Sequence, residues 1–307
     1  MTRYLVTGGA GFIGSHLVHA LLEQGDFVRV FDNFSTGKRE NLTGLPVEIV
    51  EGDLRDQACL SQAVRDIDVV FHEAAFVSVP QSMQDPLPCF EINQRGTEFL
   101  LEAARKARVE RVVLASSAAV YGDSQSVVNE QSPLYPFSPY AVSKRVNELY
   151  AQMYSRSFGL DVVALRYFNV YGPRQRPDSM YAAAVPIFIR RLLDGQGVTI
   201  YGDGAQTRDL VYVGDIVRAN LAASRHPQAP GQVFNVCTGA EIRLIDLIEQ
   251  LMNFFPAAPA PQFAPARAGD IYRSAGSPAK AFELLGFQAQ TSLADGLKSV
   301  IDRMRAA

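Results

Sequence analysis

The first half of the chain repeats one pattern: a short apolar run, a polar or glycine-rich break, then a longer stretch with apolar positions three and four apart. Runs without polar alternation predict strands buried on both faces, and the 3.6-residue period between them predicts crossover helices. Strands are expected at Tyr4–Thr7, Phe27–Asp32, Val47–Glu51, Val69–His72, Arg111–Ser116 and Val162–Arg166. Their alternation with helices predicts an α/β fold, a doubly wound parallel sheet. Ligands of such a sheet sit beyond the carboxyl ends of its strands, where strand order reverses. Polar and small residues collect at those ends: Asp32-Asn33, Gly52-Asp53-Leu54, His72-Glu73-Ala74-Ala75, Ser116-Ser117 and Tyr167-Phe168-Asn169. Beyond Asn169 the pattern is broken by Pro173, Pro177, Pro186 and the turn-rich YGDG at Tyr201–Gly204. Residues 1–169 therefore read as the domain of that sheet, to which late strands near 210–236 return, and 170–307 as mainly a smaller, interleaved α/β substrate lobe. The run Pro256–Pro265 is expected to stay extended. Apolar residues at 293, 297, 300, 301 and 304 predict a closing helix over Thr291–Arg305.

The first break, LVTGGAGFIG at Leu5–Gly14, has glycines at 8, 11 and 14 between a strand and a helix. Gly8 suits backbone angles that a Cβ would block, Gly11 allows close approach of a diphosphate, and Gly14 allows the helix to pack on the strand. The helix N-terminus then faces the anion. A second strand follows at βαβ distance and ends in Asp32, whose carboxylate can accept from an adenosine ribose and would repel a 2′-phosphate. The spacing points to NAD.

Composition narrows the field without naming a ligand. With 307 residues, 48% hydrophobic and 20% charged, the chain can bury a large core. A net charge of −3 gives no general attraction for nucleic acid or an anionic membrane. Three widely spaced cysteines, Cys59, Cys89 and Cys237, suggest neither a disulfide framework nor a zinc site. The first strand begins too early for a signal peptide, and no apolar run approaches a membrane span, so a cytoplasmic protein is expected. His16, His19, His72 and His226 lack a third ligand at metal spacing, and no metal site is predicted.

Chemistry enters with Tyr140-Ala-Val-Ser-Lys144, whose spacing puts Tyr and Lys on one face of a helix that begins after Pro139. A phenol that acts as a base near pH 7 must come down from about 10, which takes roughly 4 kcal/mol. One cation at about 5 Å supplies roughly 3 kcal/mol, so a second is required, and an oxidised nicotinamide ring is one. Ser117, at the end of a strand that reaches the same cleft, could donate to the oxygen that Tyr140 deprotonates.

Together these residues resemble the extended short-chain dehydrogenase/reductase family, with its Rossmann sheet, and within it the UDP-sugar 4-epimerases. The resemblance runs along essentially the whole chain: TGGAGFIG at 7–14, DNFSTG at 32–37, GDL at 52–54, HEAA at 72–75, Asn93 with Gly96-Thr97, SSAAVYG, YAVSK, LRYFNVYGPRQ at 165–175, YGDGAQTRDLVYV at 201–213 and RAGD at 267–270. It implies Ser117, Tyr140 and Lys144 as the catalytic triad. It implies bound NAD on Gly8, Gly11, Phe12, Ile13 and Gly14, then Asp32, Asn33, Ser35 and Gly37, Asp53 and Leu54 beside adenine, and Ala74, Ala75, Asn93, Ser116, Tyr140, Lys144, Tyr167 and Phe168. Around the sugar nucleotide it implies Ser78, Ser117, Tyr140, Asn169, Val185, Tyr201, Arg208, Arg267, Asp270 and Ser274. Arg208 and Arg267 suit a diphosphate on their own chemistry, since a guanidinium grips phosphate oxygens in pairs. Family dehydratases carry an Asp-Glu pair after the serine, and the decarboxylases a Glu; here stand Ala118 and Ala119, which favours oxidation at C4 and simple return of the hydride. Four residues past Asp270, Ser274 falls where epimerases restricted to plain hexoses carry a bulky tyrosine, so N-acetyl sugars are expected to be accepted as well. Helices near Phe90–Ala107 and Ser138–Phe158 match those that form a four-helix dimer interface in relatives. Another sugar-nucleotide oxidoreductase of the family, or a non-catalytic NAD-binding sensor, are the alternative readings.

Overall fold

The structure, a computed structural model, describes residues 1–177, 184–266 and 271–306. Its first half runs β1 (Arg3–Thr7), α1 (Phe12–Glu23), β2 (Phe27–Asp32), β3 (Glu48–Glu51), α2 (Gln57–Ala63), β4 (Val69–His72), α3 (Val79–Gln84), α4 (Pro86–Cys89), α5 (Gly96–Ala107), β5 (Arg111–Ser117), α6 (Pro139–Ser157) and β6 (Asp161–Tyr167). There follow β7 (Asn169–Tyr171), α7 (Ala184–Leu193), β8 (Thr199–Tyr201), β9 (Thr207–Arg208), β10 (Leu210–Tyr212), α8 (Val213–Arg225), β11 (Val233–Val236), β12 (Ile242–Arg243), α9 (Leu244–Phe254), β13 (Gln262–Ala264), β14 (Arg273–Ser274), α10 (Ala279–Leu285) and α11 (Leu293–Arg305).

Seven strands form one sheet in the order β11-β6-β5-β4-β1-β2-β3, and every pairing is parallel. The chain builds outward from β1 to β3, then crosses to β4 on the other side, so the order reverses between β1 and β4. The crevice beyond their carboxyl ends is where such a sheet takes ligands. Alternate side chains of the strands point to opposite faces. Leu5, Val70, Val112, Leu114 and Val162 pack with α2 and α5, while Val6, Phe71, Val113, Val163 and Leu165 pack with α1 and α8. Burial on both faces explains why these strands read as continuous apolar runs. Only β3, at the sheet edge, is largely exposed.

The later chain contributes a third core, in which Tyr171, Val185, Ile189, Ile200, Leu247, Leu251, Leu297 and Ile301 are buried. From the stretch expected to return to the sheet, β11 joins it beside β6, whereas β10 pairs with β7 outside it. The proline-rich run carries β13, paired with β8. No described helix is long and apolar enough to cross a membrane.

Candidate active site

The first glycine turn closes as its sequence requires. Gly8 has φ +68°, and a Cβ there would stand 2.7 Å from the Ala74 nitrogen, at the end of β4. A Cβ on Gly14 would meet the Gly8 carbonyl oxygen at 2.2 Å, so α1 approaches the turn as only glycine permits. α1 begins with no side-chain cap on Gly11 and no acidic residue in its first turn. The amide groups of such a terminus suit a diphosphate.

Asp32 ends β2 with each carboxylate oxygen already accepting one backbone bond, from Ala10 at 2.9 Å and Phe34 at 2.8 Å. Each oxygen keeps one lone pair, which matches the two hydroxyls of a ribose. Around it the loop is tied down: Asn33 accepts from the Ser35 amide and hydroxyl, and a Cβ on Gly37 would stand 2.9 Å from Asp32 Oδ2. Asp53 accepts from Asn33 and, through both oxygens, from the Arg55 fork, whose bonds hold its carboxyl far below the usual range. A concavity of about 630 Å³ opens beside it, lined by Arg55, Arg95 and Phe99. Leu54 is buried against Gly96.

The other end of the crevice is assembled by β5 and α6. Ser138 caps α6 through the Ala141 amide, Pro139 takes the first turn, and Tyr140 and Lys144 follow on one face. Lys144 is 4% exposed and donates to the Ala115 carbonyl at 2.8 Å, which leaves two of its three protons for other acceptors. Its Nζ lies 5.8 Å from the centre of the Tyr140 ring. Burial pushes the Tyr140 phenol up to about 12, against a hydrogen bond with Ser117 that pulls it down. Burial also pulls Lys144 down to about 8, although Glu73 and Cys89 hold it up. With protein groups alone the lysine thus loses its proton before the phenol does.

A buried clamp fixes α6 against the sheet. Glu148, one turn beyond Lys144, accepts from Arg166 on β6 at 2.7 and 2.8 Å and from Ser116 at 2.6 Å. The Ser116 hydroxyl therefore faces this clamp. Asn93, in a wide i→i+5 turn over Phe90–Arg95 between α4 and α5, accepts from the Phe76 amide at 2.7 Å and donates to its carbonyl at 2.9 Å. It braces the loop after β4, in which Ala74 and Ala75 lie. Tyr167 directs its hydroxyl to Glu73, and Phe168 is buried under Gly276.

The sugar-side candidates cluster about β9 and β14, where Arg208 pairs in register with Ser274. Asn169 donates to the Asp209 carbonyl at 3.1 Å and to the Ser274 hydroxyl at 3.4 Å, so three segments far apart in sequence meet here. Arg208 also donates to the Thr207 carbonyl. Tyr201 ends β8 half-buried, Ser78 caps α3, and the Val185 side chain packs in the third core. Arg267 and Asp270 lie outside the described residues. Glu148, Arg166, Ser82 and Asp209 have roles that the motifs did not assign: beside the clamp, Ser82 accepts from the Tyr140 amide, and Asp209 holds Thr238 and Gly239 by three bonds of 2.8 Å. His72 is shared between Thr7 and Thr97, and His16 contacts the Pro173 carbonyl, and among the described residues no group of three His, Cys, Asp or Glu could hold a metal.

A seven-stranded parallel sheet with a glycine turn at β1, a ribose-matching Asp on β2, and Ser, Tyr and Lys converging beyond β5 defines a dinucleotide-dependent enzyme of the Rossmann class. The sequence profile of the NAD dependent epimerase/dehydratase family matches residues 4–237, and the chain belongs to that family, with NAD as its cofactor. It is 41% identical to the UDP-glucose 4-epimerase of Mycolicibacterium smegmatis, over 99% of this chain and 98% of that one. The Thermus thermophilus UDP-glucose 4-epimerase, solved with NAD, superposes with a TM-score of 0.92 at 41% identity over all of both chains. The UDP-N-acetylglucosamine 4-epimerase of Methanobrevibacter ruminantium M1, solved with UDP-N-acetylmuramic acid, gives 0.95 at 36% identity over 99% of this chain and 98% of that one.

Proposed function

We propose that this chain is an NAD-dependent UDP-hexose 4-epimerase that accepts UDP-N-acetylglucosamine and UDP-N-acetylgalactosamine as well as UDP-glucose and UDP-galactose. The observation that carries the reaction type is the Ser117, Tyr140 and Lys144 cluster followed by Ala118 and Ala119, which supply no carboxyl for an elimination. Tyr140 takes the proton of the sugar 4-hydroxyl, Ser117 orients that oxygen, and Lys144 lowers the phenol and holds the cofactor with its remaining protons. NAD, when bound, accepts the hydride of C4 and returns it. The sugar turns about its link to the diphosphate between the two transfers, so the site must grip the nucleotide firmly and the hexose loosely. Arg208 suits the diphosphate, and Arg267 and Asp270 remain candidates from sequence.

Ser274 beside Asn169 supports the N-acetyl reading, since a small side chain there leaves room for a C2 substituent. A homodimer through the Phe90–Ala107 segment and α6 is supported by Phe90, Val142 and Leu149, which expose 46, 41 and 47% of their surface on these two adjoining segments. Incubation with UDP-glucose, UDP-N-acetylglucosamine or UDP-glucuronic acid, without added NAD and with products identified by NMR, tests reaction and substrate together. Release of NADH would instead favour a net oxidoreductase, and no product from any of them a binding protein. Ser274→Tyr should remove turnover of the N-acetyl sugars and spare UDP-glucose; retained N-acetyl turnover refutes the gate.

A further inference from the structure

Glu73 is a carboxyl in the cleft wall that the chemistry above does not use. It follows β4 at the strand-order reversal, and its amide donates to the Thr7 carbonyl at the end of β1. Its own carbonyl carbon lies 3.0 Å from the Cβ that Gly8 lacks, so the Glu73 backbone packs directly on the glycine turn. Its side chain leads the other way: Oε1 accepts from the Tyr167 hydroxyl at 2.7 Å, and that hydroxyl accepts in turn from Asn220 at 2.7 Å. Lys144 and Tyr140 both feel its charge, the lysine held up and the phenol pushed up. Glu73 thus spans the distance between the diphosphate turn and the catalytic pair. A dinucleotide with its adenosine at Asp32 and its reacting ring at Tyr140 has to pass it.

We propose that Glu73 is a charge-setting residue, whose carboxylate favours the oxidised, positively charged nicotinamide over the neutral reduced ring. The inference rests on the NAD reading of the same cleft. Reduction removes one positive charge from the ring, so a nearby fixed negative charge binds the oxidised form more tightly. In an enzyme that must give its hydride back, this bias keeps the cofactor from resting reduced. The same charge opposes ionisation of Tyr140, which Lys144 favours. Burial raises the Glu73 carboxyl to about 7, while the Tyr167 bond and Lys144 pull it down, so the test belongs at about pH 8.5, where it is ionised.

Holoenzyme is equilibrated with NAD+ and NADH in fixed excess ratio, free cofactor is removed, and each bound form is released and quantified. Glu73→Gln keeps the shape and an acceptor for Tyr167. It should raise the bound NADH to NAD+ ratio by about tenfold or more, as loss of one nearby unit charge requires. Glu73→Asp, which keeps the charge, should stay within about twofold of wild type. Should Glu73→Gln fail to fold, wild type takes the same measurement at pH 6, where the carboxyl raised to about 7 is mostly neutral and the bound NADH share should rise over its value at pH 8.5; an unchanged ratio counts against the proposal. A ratio in the neutral variant within twofold of wild type, or an Asp variant that shifts like Gln, overturns the proposal. Wild type that binds neither form would overturn the NAD reading itself.

Discussion

Lys144→Met removes a cation placed beside the phenol while keeping most of the side-chain volume. At the 5.8 Å that separates Nζ from the Tyr140 ring centre, two unit charges interact by roughly 3 kcal/mol at an effective dielectric near 20. At about 1.4 kcal/mol per pKa unit, the phenol of the cofactor-loaded enzyme should rise by about two units. Turnover limited by that ionisation then falls roughly a hundredfold near neutral pH and recovers as pH climbs. The fold should tolerate the change, because burial already disfavours the charged lysine, which it pulls down to about 8. The assay is kcat with UDP-glucose between pH 6 and 10, with bound NAD measured in each sample. If the acid-side midpoint moves by less than half a unit while activity falls equally at every pH, Lys144 serves only to hold the cofactor and the electrostatic argument is refuted.

Glu148→Gln should destabilise the protein by roughly 3–5 kcal/mol in urea, because it leaves Arg166, 2% exposed, without its countercharge; a loss below about 1 kcal/mol would contradict the clamp. His16, lowered to about 4 by burial, binds no proton in the folded protein where the unfolded chain takes one below 6.5. Stability linked to it is full above 6.5 and declines as pH falls, by up to about 1.4 kcal/mol per unit down to about 4. The urea-unfolding free energy of wild type minus that of His16→Gln should therefore shrink across that window, and a constant difference would rule the linkage out.

How much of this was legible depended on whether the partners are close in sequence. The first six strands of the large sheet were readable within a residue or two, since burial on both faces leaves an uninterrupted apolar run, whereas β11 was expected only as part of a return near 210–236. The pairs β9 with β14 and β9 with β12 are two residues long and join segments over thirty residues apart, so no local period announces them. Tyr140 and Lys144 were legible because one helical turn relates them. Glu148 was not, since its meaning comes from Arg166 on the next strand and Ser116 on the one before. Two side chains that sequence placed on the cofactor also have partners within the protein: Asn93 grips the Phe76 peptide and Ser116 donates to Glu148.

The charge order in the cleft links the glycine turn to the chemistry. With protein groups alone the phenol sits near 12 and the lysine near 8, so at neutral pH the phenol keeps its proton and no base exists. Bringing Tyr140 from about 12 to about 7 takes roughly 7 kcal/mol, more than twice what one lysine at this distance supplies. That starting value already includes the pull of the Ser117 hydrogen bond and the push of Glu73. The balance has to come from a cation that arrives with the cofactor. On the proposed reading, NAD held at Gly8 and Asp32 would do more than accept a hydride, because its charge would also make Tyr140 a base. A reduced, uncharged ring in the same place would leave Tyr140 protonated, which is the form needed to return a proton to the sugar oxygen as the hydride goes back. The two proton transfers and the two hydride transfers would thus be tied to one charge, with Lys144 favouring the ionised phenol and Glu73 opposing it.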